Sequence, residues 1–149
     1  MYWIPYLMQT QAPKSTLLIR LMMAGIFTSE GIQKFIYPEA LGIGRFIRIG
    51  IPFPDFTATC VGTVEIVGGF LILVGFLTRP AALSLFINML FAVWLTKIPF
   101  LIAHGFWATA HEARTDYAML LGTTFLLLVG AGPWSIDGHL TKPMSHHKV

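Results

Sequence analysis

Four long apolar stretches, separated by short polar or Gly- and Pro-rich interruptions, dominate the pattern of the chain. The first starts after Ser15 and Thr16, which can cap a helix, and runs through Leu17-Leu18-Ile19-Arg20-Leu21-Met22-Met23-Ala24-Gly25-Ile26-Phe27 to about residue 36, where Tyr37-Pro38 stops it. The second covers 57–77 with Glu65 as its one charged residue, and Thr78-Arg79-Pro80 reads as the tight turn that closes it. The third covers 81–102, with Asn88 inside and Trp94, Lys97 and Pro99 toward its end. The fourth covers 115–132 and stops at Gly132-Pro133.

Between the first two, residues 38–56 mix Gly and Pro with Ile, Phe, Arg45 and Arg48, which suits a loop or short helix lying at lipid headgroups. His104 to Asp116 reads as a polar connection. Residues 1–14 and 134–149 read as tails flanking a single domain, 15–133. The first 14 residues lack the charged start and small-residue cleavage site of a signal peptide, so the first stretch is expected to be retained.

Composition turns this pattern into a membrane assignment. Of 149 residues, 55% are hydrophobic and 11% charged, against about 25% charged in soluble domains. A spanning helix needs about 20 apolar residues. The expected fold is therefore all-α: an integral membrane four-helix bundle with antiparallel up-down spans, both termini on one side, and the lipid bilayer as its first partner. A bacterial plasma membrane is the expected location.

Lysine and arginine do not orient it. Lys14, Arg20, Arg79, Lys142 and Lys148 fall on the terminal side, and Lys34, Arg45, Arg48, Lys97 and Arg114 on the other. The net charge of +3 has no basic stripe behind it, so no nucleic-acid partner is expected. The lone cysteine, Cys60, rules out an internal disulfide and the usual multi-cysteine metal or iron–sulfur sites. No intrinsic cofactor, metal site or catalytic nucleophile is expected. His104 and His111 lie in a connection, and His146-His147 reads as a solvated pair in the tail.

The polar residues inside the spans converge in depth. Glu30 lies about 9 Å inside the loop-side end of the first span and Glu65 about 12 Å inside that of the second, at 1.5 Å per residue. Lys34, Lys97, Arg114 and Asp116 come from the same ends of three spans. On the first span, Arg20, Phe27, Glu30 and Lys34 share a sector of about 80°. Gly62, Glu65 and Gly69 share a face of the second, and Ser84, Asn88 and Ala92 one of the third, so three small or polar stripes are expected to face one another.

Charges within spans are costly, so they pair or serve a pathway. Glu30 and Lys34 form an i,i+4 pair, and Glu65 has Lys34, Lys97 or Arg114 as partners across the bundle. One reading makes the group an ion-pair and hydrogen-bond lock. The other makes Glu30, Lys34, Glu65, Asn88, Lys97, Arg114 and Asp116 a quinone-headgroup or proton-relay site. Arg20 and Arg79, near the opposite face, are expected to snorkel to headgroups as anchors.

Three stretches resemble the DoxX family of small four-helix bacterial membrane proteins: Arg20 to Phe27 followed by Gly31-Ile32-Gln33-Lys34, the run Glu65 to Leu83, and the closing Gly130-Ala131-Gly132-Pro133-Trp134-Ser135-Ile136-Asp137. The resemblance extends over residues 15–138 and implies a membrane bundle related to subunits of thiosulfate:quinone oxidation and to oxidative-stress proteins. On that footing the chain is expected to be a membrane subunit of a respiratory or redox complex, either non-catalytic or co-catalytic within a quinone-linked oxidoreductase. It would anchor other membrane subunits or self-associate, and line a site for quinone. A proton-coupled transporter using Glu65, and a structural assembly factor, are the rival readings.

Overall fold

The computed structural model describes residue 8 and residues 12–141. Among them the chain is helical, with no strand. The parts of the expected tails at 1–7, 9–11 and 142–149, including Lys142, His146, His147 and Lys148, lie outside the described residues.

Helix α1 is Thr16–Ile36 and a six-residue α2, Ile43–Arg48, follows. Helix α3, Pro54–Val74, opens on Pro54, whose missing N–H is no loss in a first turn. It ends at Gly75, where a left-handed φ of 70° lets the Gly75 and Phe76 amides bond back to Ile72 and Leu71. A side chain at Gly75 would also meet Ser135 and the Arg20 guanidinium, so glycine is demanded twice.

Helix α4, Thr78–Ala92, starts earlier than expected: Thr78-Arg79-Pro80 is its first turn, and the reversal is made by Gly75 to Leu77 instead. It runs through a π turn at Val93–Lys97 into α5, Ile98–His104. The widened turn stands where the Pro99 ring would otherwise clash with the Leu95 carbonyl. The expected polar connection is largely helical, forming α6 at Phe106–Glu112. Helix α7, Arg114–Val129, is followed by α8, Ile136–Leu140.

Two continuous helical segments are long and apolar enough to cross a membrane: Pro54–Val74, and Thr78–His104 with its π turn, each with a mean hydropathy of 1.9. Much of their apolar surface points outward, including Val67, Phe70, Ile87, Leu90 and Phe91. Water would penalise a patch of that size, whereas lipid chains solvate it.

The tightest helix pair is α1 with α3. Gly31 lies against Gly62 and Glu65, Gly69 against Thr28 and Ala24, and Arg20 against Ile72 and Leu73, so the partners run in opposite order along the two helices. Glycine at these crossings lets the backbones meet closely. Gly68 receives Leu85 of α4. Met23, Phe27, Ile72, Ala82, Leu85, Met89, Met119 and Leu126 form the common core of α1, α3, α4 and α7.

The expected boundary at 133 is corrected by the structure. Ser135, Asp137 and Gly138 are buried, because α8 packs into the α3–α4 reversal instead of trailing into solvent.

Candidate functional site

A cavity of about 550 Å³ opens among α1, α2, α3, α4, the π turn and α7. Its apolar lining includes Phe46, Ile49, Met89, Phe91, Leu95 and Met119. Into it reach Glu30, Lys34, Arg45, Glu65, Asn88, Lys97, Glu112 and Asp116.

The deeper polar group centres on Glu65, whose side chain is 5% exposed. Gly62 and Gly69 press that face of α3 against α1, and the carboxylate ends 2.5 Å from Lys34 Nζ. Asn88 Nδ2 of α4 donates to its other oxygen at 3.1 Å. Lys34 also donates to the Glu30 carbonyl at 3.4 Å and lies 4.0 Å from the half-exposed Glu30 carboxylate. One lysine thus joins a buried carboxylate to one that solvent can reach.

The second group sits at the loop end. Lys97 Nζ is 3.2 Å from Asp116 and 3.3 Å from Glu112. The π turn brings Thr96 and Lys97 to the cavity wall together. Such bulges re-aim side chains in a way a regular helix does not.

Six of the seven residues proposed for the site from sequence, Glu30, Lys34, Glu65, Asn88, Lys97 and Asp116, line this one cavity. Arg114 does not: it is exposed, and its guanidinium lies 2.9 Å from the His111 ring. Two residues along α7 turn Asp116 about 200° away from Arg114, so only one of them can face inward. His104 stacks on Phe100, leaving the two histidines of this region apart in role and surroundings. Ser84 is exposed and bonds to Pro80, so the third stripe reaches the site through Asn88 and Ala92 only. Among the described residues no three His, Cys, Asp or Glu side chains stand close enough together to hold a metal ion.

Arg20 corrects a second expectation. It does not snorkel: it is 2% exposed and donates to the carbonyls of Ile72 at 2.8 Å, Leu73 at 2.5 Å, Ala131 at 3.3 Å and Trp134 at 2.6 Å. The end of α3 and the loop after α7 leave carbonyls with spare accepting capacity, and a guanidinium fork meets four of them at once. Arg79 is also held by protein, donating to the Leu128 carbonyl at 3.1 Å near the end of α7.

Asp137 carries a structural role that sequence reasoning did not assign. It is 1% exposed and accepts from the Leu77 and Thr78 amides, both at 2.9 Å, capping α4 from a distant part of the chain. Ser135 caps α8 by accepting from the Gly138 amide. The spacing Ser135-Ile136-Asp137-Gly138 after Gly-Pro was the available sign of a capped helix.

Comparison with known proteins places the chain in a family. The DoxX family model matches residues 15–98. An uncharacterized membrane protein of Mycobacterium tuberculosis is 52% identical over 144 residues, an alignment that covers 93% of this chain and 88% of that protein. A Bacillus subtilis protein named "Putative oxidoreductase CatD" is 30% identical over 136 residues, covering 90% of this chain and 92% of that protein. No solved structure matches the chain. On the family match and on the extent of these two likenesses, the chain is a membrane protein belonging to the DoxX family.

Proposed function

We propose that the chain is the membrane subunit of a redox system, and that its cavity receives the headgroup of a lipid-soluble quinone. In this reading α1, α3, α4 with α5, and α7 form an antiparallel four-helix bundle across the bilayer, with α2 and α6 at headgroup depth and both termini on the opposite side. The single observation that carries it is the cavity, about 550 Å³, apolar along most of its wall and bearing two lysine–carboxylate groups. Pockets for small organic ligands combine that size with an apolar lining and a few placed polar groups. The name of the Bacillus subtilis relative is in keeping with a redox setting.

A quinone exchanges two electrons and two protons, with the electrons passing to or from a partner subunit. This chain's residues would do the remaining work. Asn88 and Lys34 are donors that a carbonyl oxygen could share with Glu65, and Met89, Phe91 and Leu95 would exclude water from the ring. Glu65, Lys34 and Glu30 form a graded series from buried to half-exposed, along which a proton could move toward the loop side.

The test is binding of a short-chain quinone to the chain in quinone-free nanodiscs. Wild type should bind saturably, and Ala92→Trp, which fills the cavity wall, should abolish binding while helix content stays unchanged. Equal binding by both would refute the reading. The buried Lys34–Glu65 pair also suits a proton-coupled carrier. Proton-driven transport by vesicles of the chain alone, lost in Glu65→Gln, would favour that alternative.

A further inference from the structure

Of the five arginines, all among the described residues, four have acceptors or ring partners. Arg20 has its four carbonyls, Arg48 those of Glu39 and Ala40, Arg79 that of Leu128, and Arg114 the His111 ring. Arg45 has no hydrogen-bond or ion-pair partner among the described residues, although it is half-buried and lines the cavity. An unpaired, partly desolvated guanidinium is costly unless an anion meets it.

Its position follows from α2. Gly44 and Phe46 are buried and fasten the short helix, while Arg48, three residues on, turns back onto exposed carbonyls. Arg45 is thereby held at the cavity wall beside Phe46, Ile49 and Ile51. The lysines cannot serve an incoming anion in the same way. Lys34 lies between Glu30 and Glu65, and Lys97 between Glu112 and Asp116.

The wall as a whole carries four carboxylates and three cations. That excess of negative charge disfavours a multiply charged anion and leaves Arg45 suited to a singly charged one with an apolar remainder. A phosphodiester has that charge, and the oxygen pair that a guanidinium fork matches.

We propose that Arg45 is an oxyanion subsite at the rim of the cavity, taking the phosphodiester of an anionic phospholipid whose chains lie along Phe46, Ile49 and Phe91. It rests on the membrane placement of α2 given above, but not on quinone binding deeper in the cavity.

The test uses native mass spectrometry of the full chain, released from nanodiscs of phosphatidylcholine containing phosphatidylglycerol. Wild type should retain one phosphatidylglycerol. Arg45→Gln should retain roughly tenfold less or lower still, the scale of losing hydrogen bonds to a charged group, while Arg48→Gln should match wild type. Arg45→Lys, which keeps the charge and loses the fork, should fall between. Unchanged retention by Arg45→Gln, or equal loss in Arg48→Gln, would overturn the proposal. Displacement by millimolar inorganic phosphate would give the subsite to a soluble anion and overturn the lipid assignment. Quinone titration of Arg45→Gln in the same nanodiscs separates the two readings: saturable binding there shows that the variant is folded and that the deeper site is independent.

Discussion

Removing Lys34 should cost the fold more than removing Glu65, its closest partner. In Lys34→Met the Glu65 carboxylate, 5% exposed, keeps only the Asn88 amide at 3.1 Å. Stripping one partner from a buried ion pair typically costs about 3–5 kcal/mol, because a charge is left without compensation. In Glu65→Gln the ammonium still has the Glu30 carbonyl at 3.4 Å and the Glu30 carboxylate at 4.0 Å. Its flexible stem can also follow Glu30 outward, so about 1–2 kcal/mol is expected. The double variant Lys34→Met/Glu65→Gln buries no unpaired charge and should cost less than the two singles together. A coupling energy of about 2 kcal/mol or more follows for residues sharing one network. Reversible unfolding in mixed detergent, followed by helix circular dichroism for wild type and the three variants, measures it. Additivity within about 0.5 kcal/mol, or a Glu65→Gln more harmful than Lys34→Met, would refute the idea that Lys34 is the hub of this group.

Glycines on α1 should divide sharply by position. Gly31→Ala places a methyl 2.7 Å from the Gly62 carbonyl oxygen, so α1 and α3 must separate at about 1–3 kcal/mol. Gly25→Ala meets nothing within 4 Å and should gain about 0.5–1 kcal/mol from helix propensity; the same unfolding titration checks both. Asp137→Ala removes both acceptors from the Leu77 and Thr78 amides and should cost about 2 kcal/mol. Asp137→Asn, which keeps one good acceptor, should recover part of that.

How much of this was legible in the sequence depended on whether a residue's partner was local in pattern. The extent of α1 and the inward turn of Glu65 followed from helical periodicity and from glycines placed on the Glu65 face, since burial, spacing and small size act along one helix. Lys34 and Glu65 were brought together by their common span ends, and Asn88 by the small, polar stripe on its own helix. Arg20 and Asp137 were misread or passed over because their partners are backbone groups 52 to 114 and about 60 residues away, which no side-chain pattern announces. Arg114 was misplaced because depth alone does not give azimuth: its neighbour Asp116 took the inward side. The π turn was visible only as Pro99, which signals a disturbance upstream but not whether a kink, a break or a wider turn absorbs it.

On the proposed reading, the two ends of the helical core divide the work of stability and of binding. At the α3–α4 reversal, Arg20, Ser135 and Asp137 are each 5% exposed or less, and their polar groups are taken up by carbonyls and amides of the chain itself. Such a network rigidifies, because the Arg20 guanidinium and the Asp137 carboxylate have fixed partners, while the buried hydroxyls of Thr16 and Thr78 beside it have none among the described residues. At the other end the charged groups are held less completely: Lys34 bridges carboxylates of unequal exposure, Lys97 reaches a half-exposed Glu112, and Arg45 has no acceptor among the described residues. A cavity wall with that unfinished polarity can trade partners with a ligand at little cost, provided that the helices carrying it do not drift. The knot at Arg20 and Asp137 supplies that condition, since it ties α1, α3, α4 and the segment after α7 together. The asymmetry predicts a separation of effects: substitutions at the closed end should lower stability and leave ligand preference alone, while those at Asn88, Lys97 or Arg45 should change what binds before they change whether the chain folds.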